Sequence, residues 1–216
     1  MEQVLRILLV RHGESESNAG SASDDAGSAS LTPLGVQQAQ AIAAWLEDAP
    51  SRFIVSGYRR AQQPAEPALA RHPHVPVETW PVHEFTFLSP DRYAGTSPAM
   101  RKPAVDAYWA AADAHAVMGE GAESFAQFMA RVQATRAQLA ECPSGVMVVF
   151  SHKKFLNALR WLWLTGDAPA STSRMVRFRE FDHAMPFANG AVAEVRLEAG
   201  AAWLGPVTVP SVAGVL

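Results

Sequence analysis

The stretch Leu8-Leu9-Val10-Arg11-His12-Gly13-Glu14-Ser15 says most about the fold of this chain. Its apolar beginning predicts a buried strand, which ends abruptly on an Arg-His pair followed by glycine and small polar residues. In an open α/β sheet, ligands bind at the edge formed by the carboxyl ends of the strands. The strand therefore brings a guanidinium and an imidazole to a binding edge. Both groups suit a phosphate ester, because planar donors pair with its oxygens and an imidazole can attack phosphorus.

A second apolar run, at residues 146–150, is followed by Ser151 and His152. This run and residues 4–10 are almost continuously apolar and β-branched, which is typical of strands buried on both faces of a parallel sheet. A shorter run at 53–55 leads into an arginine-bearing segment. Helical patterns separate the runs, so the sequence predicts an α/β three-layer sandwich with a mainly parallel central sheet flanked by helices.

Apolar spacing and capping residues locate the other elements. Helices are predicted to begin at Thr32-Pro33 and to cover 58–71 (disturbed by Pro64 and Pro67), 103–116, 123–140 and 154–164. Runs at 191–197 and 203–209 predict a terminal hairpin. Residues 19–30 are Gly, Ala, Ser and Asp, which indicates either a solvated connector or a lid over a substrate. Residues 85–121 are rich in aromatics and prolines and predict a cap insertion over the pocket.

Composition limits the classes of function. The 216 residues suit one domain, 1–216, and the formal net charge of −3 gives no basic field for nucleic acid or a membrane surface. No apolar run is long enough to cross a bilayer and no signal-peptide pattern is present, so we expect a cytoplasmic protein. The single Cys142 excludes an intrachain disulfide and a cysteine-rich zinc site. No metal and no cofactor are predicted, and an exposed terminal strand leaves a homodimer open.

Ordered motifs extend this interpretation over nearly the whole chain. The chain resembles the histidine phosphatase superfamily, the phosphoglycerate-mutase-like proteins. The resemblance rests on LVRHGES at 9–15, Asn18, LTPLG at 31–35 with Gln38-Ala39, SGYRRA at 56–61, Glu84, GAES at 121–124 and VVFSH at 148–152. An isolated Arg-His-Gly would be weak support, but all of these pieces in order are specific. The resemblance implies a phosphoglycerate-mutase-like fold and the transfer of a phosphoryl group from a small phosphorylated substrate to a histidine of this chain.

The resemblance also implies roles for individual residues. His12 is the expected nucleophile, which forms a phosphohistidine. Arg11, Arg60 and His152 are expected to surround the transferred group. His152 is expected to donate to the phosphoryl oxygens if it is protonated, a state that neighbouring carboxylates favour. Arg59 is expected to point outward, since Ala61 directly follows Arg60 and places the family's arginine at Arg60.

Three carboxylates compete for the proton transfer. Glu84 is the expected general acid, with burial and a nearby phosphate raising its pKa. Asp91 and Glu14 are the reserve candidates. Ser15 and Asn18 either donate hydrogen bonds to phosphate oxygens or cap their own loop.

Departures from the family pattern favour a phosphatase over a mutase. The charged residues that mutases carry after Asn18 are absent, and the chain has no room for their long insertions. Lys153 replaces a usual glycine after the second histidine, and it either adds a charge for an anionic substrate or points into solvent. The mutase remains one alternative, and a catalytically weak adaptor that binds phosphorylated molecules is the other.

Overall fold

The computed structural model describes residues 4–23 and 25–211, so the predicted domain ends and residue 24 of the 19–30 loop lie outside the described residues. Within the described ranges one sheet has the order β3-β2-β4-β1-β5-β6. Its strands are β1 (Leu5–Arg11), β2 (Arg52–Ser56), β3 (Val77–Trp80), β4 (Gly145–Ser151), β5 (Val192–Glu198) and β6 (Ala201–Thr208). The first four strands are mutually parallel, and β5 pairs antiparallel with both β1 and β6. The predicted mainly parallel α/β sheet is confirmed.

Helices cover both faces of this sheet. They are α1 (Pro33–Trp45), α2 (Arg59–Gln62), α3 (Ala65–Arg71), α4 (Pro98–Ala111), α5 (Phe125–Ala140), α6 (Lys153–Thr165) and α7 (Thr172–Ala184), with a short 3₁₀ helix at Pro90–Arg92. Successive residues of a strand point to opposite faces. Accordingly, Leu9 packs in a cluster with α5 and α6, whereas Leu8 and Val10 pack in a second cluster with α1 and α3. This arrangement is the predicted three-layer sandwich.

The pairing of β1 with β4 decides where the two histidine motifs meet. Arg11 lies opposite Ser151 in the parallel register, and the His12 amide donates to the carbonyl of Ser151 at 3.1 Å. Because both strands run the same way, His12 and His152 leave the sheet together at its carboxyl edge.

The helix within residues 85–121 differs from its prediction. Helix α4 begins at Pro98, not at Pro103, because Ser97 caps it by accepting from the amide of Met100 and Pro98 occupies the first turn. Pro103 lies inside the helix on its exposed side. The helix ends at Ala111, since Ala112 adopts a left-handed conformation with φ of 48°.

Other elements were divided or not foreseen. The predicted helix over 58–71 is broken into α2 and α3, because Pro64 has no amide hydrogen with which to continue the first helix. Helix α7 was not predicted, since most of its residues are polar and only Met175, Phe178 and Asp182 are buried. The four-residue strand β3 was also missed, whereas the terminal hairpin is confirmed as β5 and β6. None of the helices within the described ranges is long and apolar enough to span a membrane.

Candidate active site

A cavity of about 150 Å³ opens at the carboxyl edge of the sheet, and we call it the edge cavity. Its lining brings together six of the predicted site residues: Arg11, His12, Ser15, Asn18, Arg60 and Glu84. His152 lies directly beside it, with its ring centroid 5.1 Å from that of His12. Segments far apart in the chain therefore converge on one small space.

A larger cavity of about 360 Å³ lies at the other end of β1, around Leu5, Cys142 and Gly200. Its arginine, Arg136, is already bound to Asp167 at 2.5 Å. Among the described residues that line it there is no histidine. Size favours this cavity, but the convergence of reactive side chains identifies the edge cavity as the candidate active site.

The ring of His12 is held in one orientation and one tautomer. Its Nδ1 lies 2.7 Å from the carbonyl oxygen of Gly13, which can only accept a hydrogen bond. Nδ1 therefore carries the hydrogen, and Nε2 keeps its lone pair. Burial, followed by the charges of Arg60 and Arg11, holds the pKa of His12 well below its ordinary value of 6.5. The imidazole is thus neutral and nucleophilic at neutral pH.

Two glycines allow the loop after β1 to pack closely on the start of α1. A Cβ at Gly13 would collide with the backbone of Gly35, and one at Gly35 would collide with the backbone of Glu14. Thr32 joins the two segments, because its amide donates to the Glu14 carbonyl at 2.9 Å and its hydroxyl to the Glu14 carboxylate at 2.8 Å. Glu14 is therefore committed to Thr32 and does not line the edge cavity.

Both arginines are anchored to backbone carbonyls and keep donors for a ligand. Nη1 of Arg11 donates to the carbonyl of Phe187, and Nη1 of Arg60 to that of Ala26, each at 2.5 Å. The buried Nε of Arg11 has no partner among the described residues. Burial lowers the pKa of both guanidiniums, and the charge of Glu84 partly opposes this effect. These hydrogen bonds orient both guanidinium groups toward the edge cavity, which has room for a small anion.

The structure corrects the expected charge of His152. Burial, followed by the charges of Arg60 and the proximity of His12, holds the pKa of this fully buried imidazole well below 6.5, so it is neutral rather than protonated. The charges around it are mainly cationic, whereas the sequence interpretation expected carboxylates.

A neutral His152 can still donate a hydrogen bond. Its Nε2 lies 2.8 Å from the hydroxyl of Ser56, which itself accepts from the amide of Tyr58. The hydroxyl can donate to Nε2 or accept from it, so this contact fits either tautomer. The buried Nδ1 has no partner among the described residues. In the tautomer that carries its hydrogen on Nδ1, this atom is an uncharged donor beside the edge cavity.

Glu84 lies at the beginning of α6. One oxygen of its carboxylate accepts from the amide of the next residue, Phe85, at 3.0 Å, and the other accepts from the amide of Lys154 at 3.4 Å. The Lys154 amide belongs to the first turn of α6, where the helix dipole presents its positive end to the carboxylate. Asp91 is exposed on the 3₁₀ helix and does not line the edge cavity. Of the three candidate acids, Glu84 alone reaches it.

Ser15 and Asn18 cap their own loop, which is one of their two predicted roles. The Oδ1 atom of Asn18 accepts from the amide of Ser15 at 3.2 Å, from its hydroxyl at 3.0 Å and from Nδ2 of Asn189 at 2.9 Å. Within the described part of the chain the Asn18 Nδ2 donates to no acceptor, and Asn18 lines the edge cavity. Asn189, which also donates to the carbonyls of His12 and Gly13, was not foreseen.

The other charged residues that the sequence analysis named lie outside the edge cavity. Arg59 is exposed, as expected of an outward neighbour. Lys153 neither enters the cavity nor points into solvent, because its Nζ lies 3.7 Å from the buried carboxylate of Asp182. Asp25 and Tyr93 line the edge cavity, although the sequence did not single them out. In the described part of the chain, His, Cys, Asp and Glu side chains form no group of three or more that could hold a metal ion.

Comparisons with known proteins identify the family and the fold of the chain. Residues 7–198 match the family model described as the histidine phosphatase superfamily (branch 1). A comparison with curated protein sequences finds no match. Among solved structures, a putative alpha-ribazole-5'-P phosphatase from Escherichia coli is similar at 22% identity with a TM-score of 0.73, covering 98% of this chain and 99% of that one.

Two other solved structures share the fold. A mycobacterial glucosyl-3-phosphoglycerate phosphatase is 22% identical, with a TM-score of 0.71 over 97% of this chain and 100% of that one. A phosphoserine phosphatase from Entamoeba histolytica, solved in complex with 3-phosphoglyceric acid, is 18% identical, with a TM-score of 0.69 over 97% and 98% of the two chains. Their sheet and helices thus have the same arrangement as those of this chain.

Proposed function

The chain belongs to the histidine phosphatase superfamily, and we propose that it hydrolyses small phosphate monoesters through a phosphohistidine formed on His12. One observation carries the proposal. The Gly13 carbonyl holds the hydrogen of His12 on Nδ1 at 2.7 Å, which leaves the Nε2 lone pair free in a cavity that two arginines line.

In the first step, Nε2 of His12 attacks phosphorus and the ester P–O bond breaks. Negative charge spreads over the equatorial phosphoryl oxygens, where fixed donors lower the barrier most effectively. Arg11 and Arg60 supply charged donors, and the Nδ1 hydrogen of His152 supplies a neutral one. Asn18 and Ser15 hold the loop that completes the cradle.

The leaving alcohol takes a proton from Glu84 as the P–O bond breaks. In the second step, Glu84 accepts a proton from a water that attacks the phosphohistidine, and the P–N bond breaks to release phosphate. One carboxyl group thus serves as acid and then as base, and neutral His12 is restored. No step of this scheme uses a metal or a cofactor.

We also propose that residues 85–121 form a cap and that the loop at 19–30 contributes to substrate closure. Phe85, Thr86 and Tyr93 of the first segment line the edge cavity, as do Ser23, Asp25 and Ala26 of the second. The two segments touch each other, because the Ser23 amide donates to the carbonyl of Thr96 at 3.2 Å. Contact between them supports a joint role in enclosing the substrate.

Product analysis tests hydrolysis against isomerisation and against simple binding. The full chain is incubated with β-glycerol phosphate, and phosphorus NMR follows inorganic phosphate and the α isomer separately. We expect inorganic phosphate to accumulate in step with glycerol, with no α isomer. Faster formation of the α isomer would identify a mutase instead. Tight phosphate binding without turnover, across a panel of esters, would identify an adaptor.

A further inference from the structure

A second cavity of about 320 Å³ continues from the edge cavity, and we call it the side cavity. The two share Asp25, Ala26, Thr86 and Tyr93 in their linings. The side cavity is further lined by Tyr58, His83, Leu88 and Pro90, among others. Its volume falls in the range of small-molecule sites. It therefore offers space for the part of a substrate that lies beyond the phosphoryl group.

The position of Glu84 shows which way the alcohol leaves. The leaving oxygen must lie within reach of this acid, and the side cavity is lined by its neighbours His83 and Thr86. Another open space of about 590 Å³, beside Arg101 and Lys102, contains no residue of the 82–86 segment. Its cations are also engaged, since Arg101 donates to the Thr96 carbonyl and Lys102 binds Asp106 at 2.5 Å. The side cavity is the better continuation.

Among the described residues that line the side cavity there is no cation to receive an anionic alcohol. The guanidinium of Arg60, 5.1 Å from the Tyr58 ring centroid, lines the edge cavity instead. Burial, with Arg131 nearby, lowers the pKa of His83 below 6.5, so this imidazole is neutral. Burial raises the pKa of Tyr58 to about 12 and also raises that of Tyr93, so both phenols stay neutral. Arg131 lies behind His83, where it binds Glu123 at 2.6 Å and the His83 carbonyl at 2.9 Å. Among the described lining residues, only the carboxylate of Asp25 carries a charge.

Aromatic surfaces form much of this wall. The rings of Tyr58 and His83 lie 5.4 Å apart at 36°, and Tyr93 faces both cavities. Leu88 and Pro90 add apolar contact. Flat rings stack favourably on such surfaces, whereas a carboxylate would lose its hydration without gaining a charged partner.

We propose that the side cavity binds the alcohol part of the substrate and selects an uncharged alcohol that carries a flat ring. Alcohols bearing a carboxylate or a second phosphate are disfavoured, because they meet Asp25 and no cation. This inference rests on the proposed hydrolysis and assigns its substrate class.

A matched pair of esters tests the selection. The phosphate monoesters of 4-(hydroxymethyl)benzamide and 4-(hydroxymethyl)benzoic acid have the same ring and nearly the same shape, but only the second carries a carboxylate. We expect kcat/KM for the benzamide ester to exceed that for the benzoate ester by about tenfold or more. The full chain is used, and phosphate release is the readout for both.

Two lysine variants locate the source of the preference. His83→Lys places a cation in the side cavity and should reduce the ratio of the two kcat/KM values by about tenfold, or reverse it. Gln37→Lys adds the same charge at an exposed position of α1 and should leave the ratio unchanged. If His83→Lys does not fold, the wild-type comparison still decides.

The outcomes separate this inference from the function on which it rests. If the wild-type protein hydrolyses both esters equally, or prefers the benzoate ester, the proposed selection by the side cavity is wrong, whereas the proposed hydrolysis is supported. If it hydrolyses neither ester and also leaves β-glycerol phosphate intact, the proposed hydrolysis fails, and the substrate class fails with it.

Discussion

Replacing His12 by alanine lowers kcat/KM for phosphomonoesters by about 10⁴-fold or more, which is the expected consequence of removing a covalent nucleophile. The other imidazole beside the edge cavity is that of His152, and its Nε2 is occupied by Ser56. Steady-state phosphate release measures the loss.

A control must show that the alanine variant keeps its fold and its anion site. Arg11 and Arg60 are anchored on carbonyls of Phe187 and Ala26, so neither anchor depends on the His12 ring. Inorganic phosphate should therefore still bind to His12→Ala, and its thermal unfolding should remain cooperative. The exposed His74→Ala is the matched variant and should retain full activity. A His12→Ala protein whose kcat/KM is within tenfold of the wild-type value would contradict the assignment of His12 as the nucleophile.

The neighbouring arginines provide the second large effect. Arg60→Ala should reduce kcat/KM by about 10²- to 10³-fold, because removing one preformed donor to a developing oxyanion costs that much in other enzymes. Arg59→Ala, one residue earlier on α2, should change it by less than about twofold, since the Arg59 side chain is exposed. Arg59 and Arg60 carry the same charge and are adjacent in the chain, but their side chains point in different directions. Phosphate release from the same ester is compared for the two variants.

Equal losses from the two variants would mean that bulk positive charge, and not the aim of Arg60, assists the reaction. A salt titration separates these cases, because attraction by exposed charges is screened by salt, whereas a buried contact is screened much less. We expect the deficit of Arg60→Ala to persist at high ionic strength.

Most of the sheet could be predicted because its central strands have unambiguous patterns. The runs that become β1 and β4 are apolar on both faces, and each ends on a histidine motif. Their adjacency depends on long-range pairing of Arg11 with Ser151, which no local pattern encodes. The ordered family motifs supplied that information, since they imply a shared site.

The misplaced helices have two different causes. The start of α4 was readable from Ser97-Pro98, a capping residue followed by a first-turn proline, but Pro103 offered a competing signal of the same kind. Helix α7 also begins after a capping serine, Ser171, but the residues that follow are mostly polar and form no apolar stripe. Its buried Asp182 faces the core only because Asn157 and Lys153 satisfy its carboxylate, and these contacts come from a different helix.

The site's electrostatics were the least accessible from sequence. The neutral state of His152 depends on its burial and on the nearness of Arg60 and His12, which are brought together only by the folded sheet. The tautomer of His12 depends on the direction of the Gly13 carbonyl. Residue types indicated the right participants, but protonation states follow from distances and burial that the sequence does not contain.

Rapid acid quenching during turnover of a labelled aryl phosphate tests the phosphohistidine most directly. We expect label on the wild-type protein that survives base, is lost in acid on standing, and maps to the peptide containing His12. We expect no label on His12→Ala. Label that persists in that variant, or that maps to another residue, would contradict the proposed mechanism.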